Sequence, residues 1–129
     1  MKRLVAGCLL LLLAACSGGP GNTLPWKRAD DIQKSITQQA YGKCGEKNYI
    51  VSFLDEGGVK YMIAASEPDL GMISRWIAIR FGETQPEYVW QGRFDVQGGN
   101  AGRPEVTSQG PWDDVKHADL CGLLYPTET

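Results

Sequence analysis

The chain is short of the side chains that most often do chemistry. Its 129 residues include a single histidine, His117, so the commonest general base is nearly missing and no more than one imidazole can join a catalytic or metal-binding set. Zinc usually wants four protein ligands, or three plus water, so we expect neither a metal nor another cofactor. No phosphate-binding loop is visible, because Gly98, Gly99 and Gly102 lack the strand, helix and lysine context that such a loop needs. No basic excess exists either: 13 Lys and Arg stand against 15 Asp and Glu, which argues against nucleic acid as a partner. No internal repeat is found. Nor does any apolar run reach the ~20 residues that a membrane-spanning helix requires.

What is present begins at the first residue. Met1, Lys2 and Arg3 form a basic start, followed by an apolar run from Leu4 to Ala15, the layout of a removable secretion signal. As a helix this run would cover ~18 Å, well short of the ~30 Å hydrocarbon core. It ends in Leu13, Ala14, Ala15 and Cys16, which resembles the lipobox of bacterial lipoproteins. The resemblance implies that residues 1–15 are cut off as a signal peptide and that the thiol of Cys16 carries a diacylglycerol. It further implies that the new amine is acylated, palmitate being a usual chain. Ser17 stands where, in the enterobacterial pattern, a residue other than Asp permits export to the outer membrane. The expected location is therefore the periplasmic face of that membrane, with the inner membrane and the cell surface as the alternatives, and the bilayer is the first partner through acylated Cys16. The stretch to Pro25 is Gly, Pro, Ser and Asn without apolar periodicity and reads as a flexible tether over residues 16–25.

One small domain over residues 26–129 remains. Loss of Lys2 and Arg3 leaves 11 basic residues against 15 acidic ones, a net charge of about minus four for the mature chain, which argues against nucleic acid or anionic lipid as the main partner and is compatible with a basic protein partner. Of the four cysteines, Cys8 leaves with the signal and Cys16 is taken by lipid. Cys44 and Cys121 are then a pair in an oxidising compartment, and a disulfide between them is expected.

Within the domain, Ala29, Ile32, Ile36 and Ala40 recur at helical spacing, with Asp30 and Asp31 in the first turn and Gly42 as a stop, which predicts an amphipathic helix over 29–41. Alternation then predicts strands over 48–54 and 59–65, joined by the turn residues Asp55 to Gly58. A third strand, 73–81, would put Ile73, Ile77, Ile79 and Phe81 on one face. A fourth, 88–96, would turn Tyr88, Trp90, Phe94 and Val96 inward. Arg75 interrupts the stripe, either with its head in water at the sheet margin or as a sign of a slip in register. Residues 98–110 lack periodicity and read as an exposed loop. Pro111, Asp113 and Asp114 read as the start of a short C-terminal helix reaching about Asp119. The expected fold class is α+β: an N-terminal helix packed on a four-stranded antiparallel meander, with a short C-terminal helix and one disulfide.

No catalytic residues are assigned. Asp113 and Asp114 precede His117 by four and three residues, a spacing that more often gives a solvated charge pair on a helix than a dyad. The stronger signals concern binding. On the sheet face away from the helix, Trp76 and Arg80 would stand beside Gln91 and Arg93, side-chain types of which Trp and Arg are enriched in interface hot spots. The layout with Pro111 and Trp112 is similar to the cystatin inhibitors, but neither hairpin holds a Gln-x-Val-x-Gly stretch. The leading expectation is a membrane-anchored, non-enzymatic protein-binding or assembly module of an envelope complex. An inhibitor or immunity lipoprotein and a small hydrolase using His117 are the alternatives.

Overall fold

The structure, a computed structural model, describes residues 21–69, 72–97, 100–114 and 120–126. The signal segment, Cys16 and His117 lie outside the described residues. A short helix, α1 (Ala29–Ser35), leads directly into β1 (Ile36–Cys44). Then come β2 (Lys47–Glu56), β3 (Val59–Ser66), β4 (Ile73–Phe81) and β5 (Pro86–Gln97). The chain returns through β6 (Asn100–Ala101) and β7 (Glu105–Pro111), makes a 3-10 turn over Trp112–Asp114, and is last described in α2 (Leu120–Leu124). All pairings are antiparallel. The sheet runs β1-β2-β3-β4-β5, with β7 beside β5 and the two-residue β6 on the last residues of β5.

The four expected strands are thus the middle of a wider sheet, and both flanks differ from the sequence reading. The helix expected over 29–41 stops at Ser35, where Ile36 takes an extended backbone with φ of −69° and ψ of 127°. Ile36 and Thr37 are β-branched, a weak helix pair but a good strand pair, and β2 offers the whole segment a ladder from Ile36↔Leu54 to Cys44↔Lys47. Of the loop expected over 98–110, residues 102–104 lie outside any strand or helix, while the described residues on either side form β6 and β7, which pair with β5. Pro111 closes β7 and pairs with Tyr88, and the described helical residues after it are the 3-10 turn and α2. Between those two, residues 115–119 lie outside the described residues. Cys44 and Cys121 form the disulfide, with Cα atoms 5.5 Å apart. No helix among the described residues is long and apolar enough to cross a membrane.

Register explains the core. On one face, rows such as Leu54, Tyr61, Arg80, Tyr88 and Ile63, Ala78, Trp90 line up across the strands. They are covered by Leu24, Trp26 and Ile32 from the N-terminal segment and α1. On the other face Ala64, Ile77, Ile79 and Val89 are covered by Leu124, with Trp112, Leu120 and Leu123 packed alongside. Strand β4 is therefore buried on both sides from Trp76 to Arg80. An antiparallel strand covered on both faces loses the apolar-polar alternation that a half-buried one displays. Arg75 is exposed, its backbone N–H donates to Ser66 Oγ at 2.9 Å, and the β4 ladder stays in register there. Its charged head is in water and there is no slip.

Two glycine sites shape the sheet. Gly57 and Gly58 have φ of 62° and 89°, the left-handed values that the β2–β3 turn demands and that other residues adopt at a cost. Gly92 answers a steric demand instead, because a Cβ there would fall 1.9 Å from the Glu105 carbonyl oxygen and 2.6 Å from the Trp76 ring. It sits at the bulge where β7 slips its register against β5 between Gln91 and Gly92, and the missing side chain is what lets β7 close on that strand.

Candidate functional site

The most constructed polar feature of the domain is at Arg80. The alternation of β4 places it on the same face as Trp76 and Ala78, and its side chain is 6% exposed. An unpaired guanidinium in such a place would cost several kcal/mol. Its needs are met from three directions. Nε donates to Glu87 Oε1 at 2.8 Å, Nη1 donates to the Gly21 carbonyl at 2.7 Å, and Nη2 reaches Asn22 Oδ1 at 3.4 Å. The rings of Tyr88 and Trp90 lie 5.4 and 5.6 Å from the guanidinium carbon, within the range of cation–π attraction. Tyr61 completes the box. Burial pushes its phenol above the ordinary value against the opposing pull of Arg80.

The two residues that receive Arg80 begin the N-terminal segment, and other donors grip the same place. Trp90 Nε1 and Gln109 Nε2 both donate to the Asn22 carbonyl, at 3.3 and 2.8 Å. Gln109 Nε2 also lies 2.9 Å from the Tyr88 hydroxyl. Further along, Leu24 and Trp26 are buried, and the Trp26 ring meets Tyr61 edge-on at a centroid distance of 4.8 Å. Residues 21–26 are therefore a strap bound to β4, β5 and β7, and the part of the expected tether from Gly21 to Pro25 belongs to the folded domain. The types in the strap, Gly, Asn, Thr and Pro, carry no periodicity because it is held through backbone carbonyls and two anchors, Leu24 and Trp26, rather than through a regular element.

The structure divides the four residues expected to form one binding surface. Trp76 and Arg80 are 2% and 5% exposed and lie beneath the strap. Trp76 packs on Phe94, with ring centroids 5.8 Å apart, and its indole N–H has no hydrogen-bond partner among the described residues. Gln91 pairs with Ile77 across the strands and Arg93 with Arg75, which puts both on the opposite face. Arg93 Nε donates to Glu105 Oε1 at 2.6 Å, and that hydrogen bond raises the pKa of Arg93. Both members of the pair are well exposed, so it adds little to stability. A shared Trp-Arg surface is corrected to a buried Trp76 and Arg80 on one face and an exposed charge pair on the other. Among the described residues no group of three or more His, Cys, Asp or Glu side chains is placed to hold a metal.

Among the described residues the sheet has two open edges, β7 and β1, and the longer of them is β1. From Thr37 to Tyr41 every residue is exposed, and the side of β1 away from β2 has no strand beside it among the described residues. Tyr41 is 75% exposed, and Phe53, opposite Gln38, is 37% exposed. The segment Thr37-Gln38-Gln39-Ala40-Tyr41 carries no charge and no proline. Such residues are among the devices by which edge strands discourage pairing. Only a register shift near Ile36 and Lys43 near the turn guard its ends. Edge pairing was not legible because the apolar spacing of Ile36 and Ala40 suits a helix equally well.

No family model matches the chain, and neither a curated protein nor a solved structure matches it.

Proposed function

We propose that the protein is a lipid-anchored module on the periplasmic face of the outer membrane, and that it works by non-enzymatic recognition of a protein partner as an accessory or assembly subunit of an envelope complex. The lipobox residues Leu13 to Cys16 support the anchor. The open β1 edge carries the recognition: its exposed stretch from Thr37 to Tyr41, with no strand on its outer side among the described residues, accepts an extended segment as an added strand. Main-chain hydrogen bonds supply affinity in that mode, and Tyr41, a large amphipathic ring, supplies an anchor of the kind found at hot spots.

A photo-crosslinking residue placed at Gln39 or at Tyr41 in the full chain should give a discrete adduct with one envelope protein, while the same residue at Thr107 on β7 should not. Lysine is a natural guard of edge strands. Gln39→Lys combined with Tyr41→Lys is thus expected to leave the fold intact and to weaken the partner interaction by at least about thirtyfold, the scale of losing one hot spot. A resident envelope subunit as the adduct fits the assembly role, and an incoming toxin or hydrolase would replace it with an inhibitory one. Adducts from position 107 alone, in a folded domain, would remove β1 from the account.

A further inference from the structure

The strap borders a cleft that the edge-strand reading does not use. Its volume is about 360 Å³, and its walls are Asn22, Thr23, Leu24, Trp26 and Lys27 from the strap side and Arg103, Pro104, Val106 and Gln109 from β7 and the residues leading into it. In a chain with more acidic than basic residues, this wall holds two cations and no carboxylate. Neither cation has an ion-pair partner among the described residues, where the pairs are Arg28–Asp31, Lys60–Asp55, Arg80–Glu87 and Arg93–Glu105. Glu105, the acid nearest to Arg103 in sequence, is already held by Arg93 at 2.6 Å. Asp95 lies with Arg103 on a neighbouring hollow, outside the cleft wall. The rest of the wall is half apolar. Val106 is 37% exposed there, beside Leu24, Trp26 and Pro104, while Asn22, Thr23 and Gln109 supply uncharged polar groups.

We infer that this cleft binds an anionic amphiphile of the phospholipid kind, its phosphate between Lys27 and Arg103 and its apolar part along Val106 and Pro104. Two compact positive groups recognise a phosphate by charge-assisted hydrogen bonds, and Arg does so with a planar fork. An anion is attracted locally even though the net charge of the chain is negative, because exposed charges beyond ~8 Å are screened at physiological salt. The source of the amphiphile follows from chain length, and here the inference rests on the lipid anchor proposed above. Four residues lie between Cys16 and Gly21, which makes five backbone steps. At ~3.5 Å each, even fully extended they allow no more than ~18 Å. The strap, gripped at Gly21 and Asn22, thereby keeps its own cleft within reach of the headgroup layer.

The mature full chain carrying Cys16→Ser, and therefore no lipid, isolates the cleft from the anchor. Titrated with a soluble short-chain phosphatidylglycerol and followed by tryptophan fluorescence, to which Trp26 in the wall contributes, it should show saturable binding. Inorganic phosphate should bind at least tenfold more weakly. Lys27→Gln and Arg103→Gln should each weaken the lipid about fivefold, the scale of one cation near an anionic surface, with no change in the unfolding midpoint. A short-chain phosphatidylcholine should behave like the double variant with phosphatidylglycerol. Binding that ignores both substitutions, no saturable binding, or phosphate equal to lipid would each overturn the inference. Acylation of Cys16 in the unaltered chain is read separately by mass, so a missing anchor and an idle cleft give different results.

Discussion

Replacing Arg80 with alanine should lower the stability of the domain by about 3 kcal/mol, the lower end of what breaking a buried ion pair costs. The lower end applies because the partner left behind, Glu87, is half exposed, at 48%, and can be rehydrated. The larger consequence is local. Arg80 supplies the hydrogen bond to the Gly21 carbonyl and the contact with Asn22 Oδ1, and its removal opens a void beside the packed rings of Tyr88 and Trp90. The strap should then fray from its first residue, so that hydrogen exchange in residues 22–26 rises well before that of β4. Arg80→Lys should not restore protection, since an ammonium cannot serve Glu87, Gly21 and Asn22 at once as a planar fork does. Urea unfolding gives the first quantity and exchange followed by mass spectrometry gives the second. Unchanged protection of the strap in a folded Arg80→Ala variant would show that Leu24 and Trp26 hold it alone.

The disulfide should matter more to global stability. Cys44 ends β1 and Cys121 lies in α2, 77 residues further along, so the bond restricts a loop covering most of the domain in the unfolded chain. The chain-entropy account gives about 4 kcal/mol for a loop of that size. For a domain near a hundred residues this corresponds to roughly 15–20 °C in the melting midpoint. The paired substitution Cys44→Ala with Cys121→Ala is the cleaner test, because single substitution leaves a free thiol. Its thermal melt should show that fall, and the unaltered chain in excess reductant should show a similar one. A midpoint within a few degrees of the oxidised protein would mean that packing of Leu124 against Ile77, Ile79 and Val89 suffices to hold the C-terminal segment.

The middle of the fold was legible in the sequence and its margins were not, for reasons that particular residues make plain. The sequences of β2, β3 and β5 carry the apolar alternation of strands, although Ala64 and Val89 are buried on the second face as well, and Gly57 with Gly58 marks the turn between the first two. The pairing of Cys44 with Cys121 followed from counting cysteines. Strand β4 was found, but its two faces were ranked wrongly. Ile77 and Ile79 drew attention to one side, whereas Trp76, Ala78 and Arg80 line the other and are equally buried. An arginine between inward-facing positions reads as an exposed charge unless the strap that receives it is known, and the strap is recognised by backbone carbonyls that leave no mark in composition. At the edges the pattern fails for a different cause. Most residues of β1 and β7 are exposed, so no apolar periodicity records that they are strands, and long-range pairing overrides local preference there.

The proposed anchor holds this domain to a membrane through Cys16, with the strap keeping it close. The most direct measurement is the mass of the N-terminal peptide of the mature protein isolated from membranes. A peptide beginning at Cys16 and carrying a diacylglycerol thioether and an amide-linked acyl chain is the predicted result, with Cys16→Ala leaving the precursor uncut. A mature chain that begins at an unmodified Cys16, or at any other residue, would contradict the account.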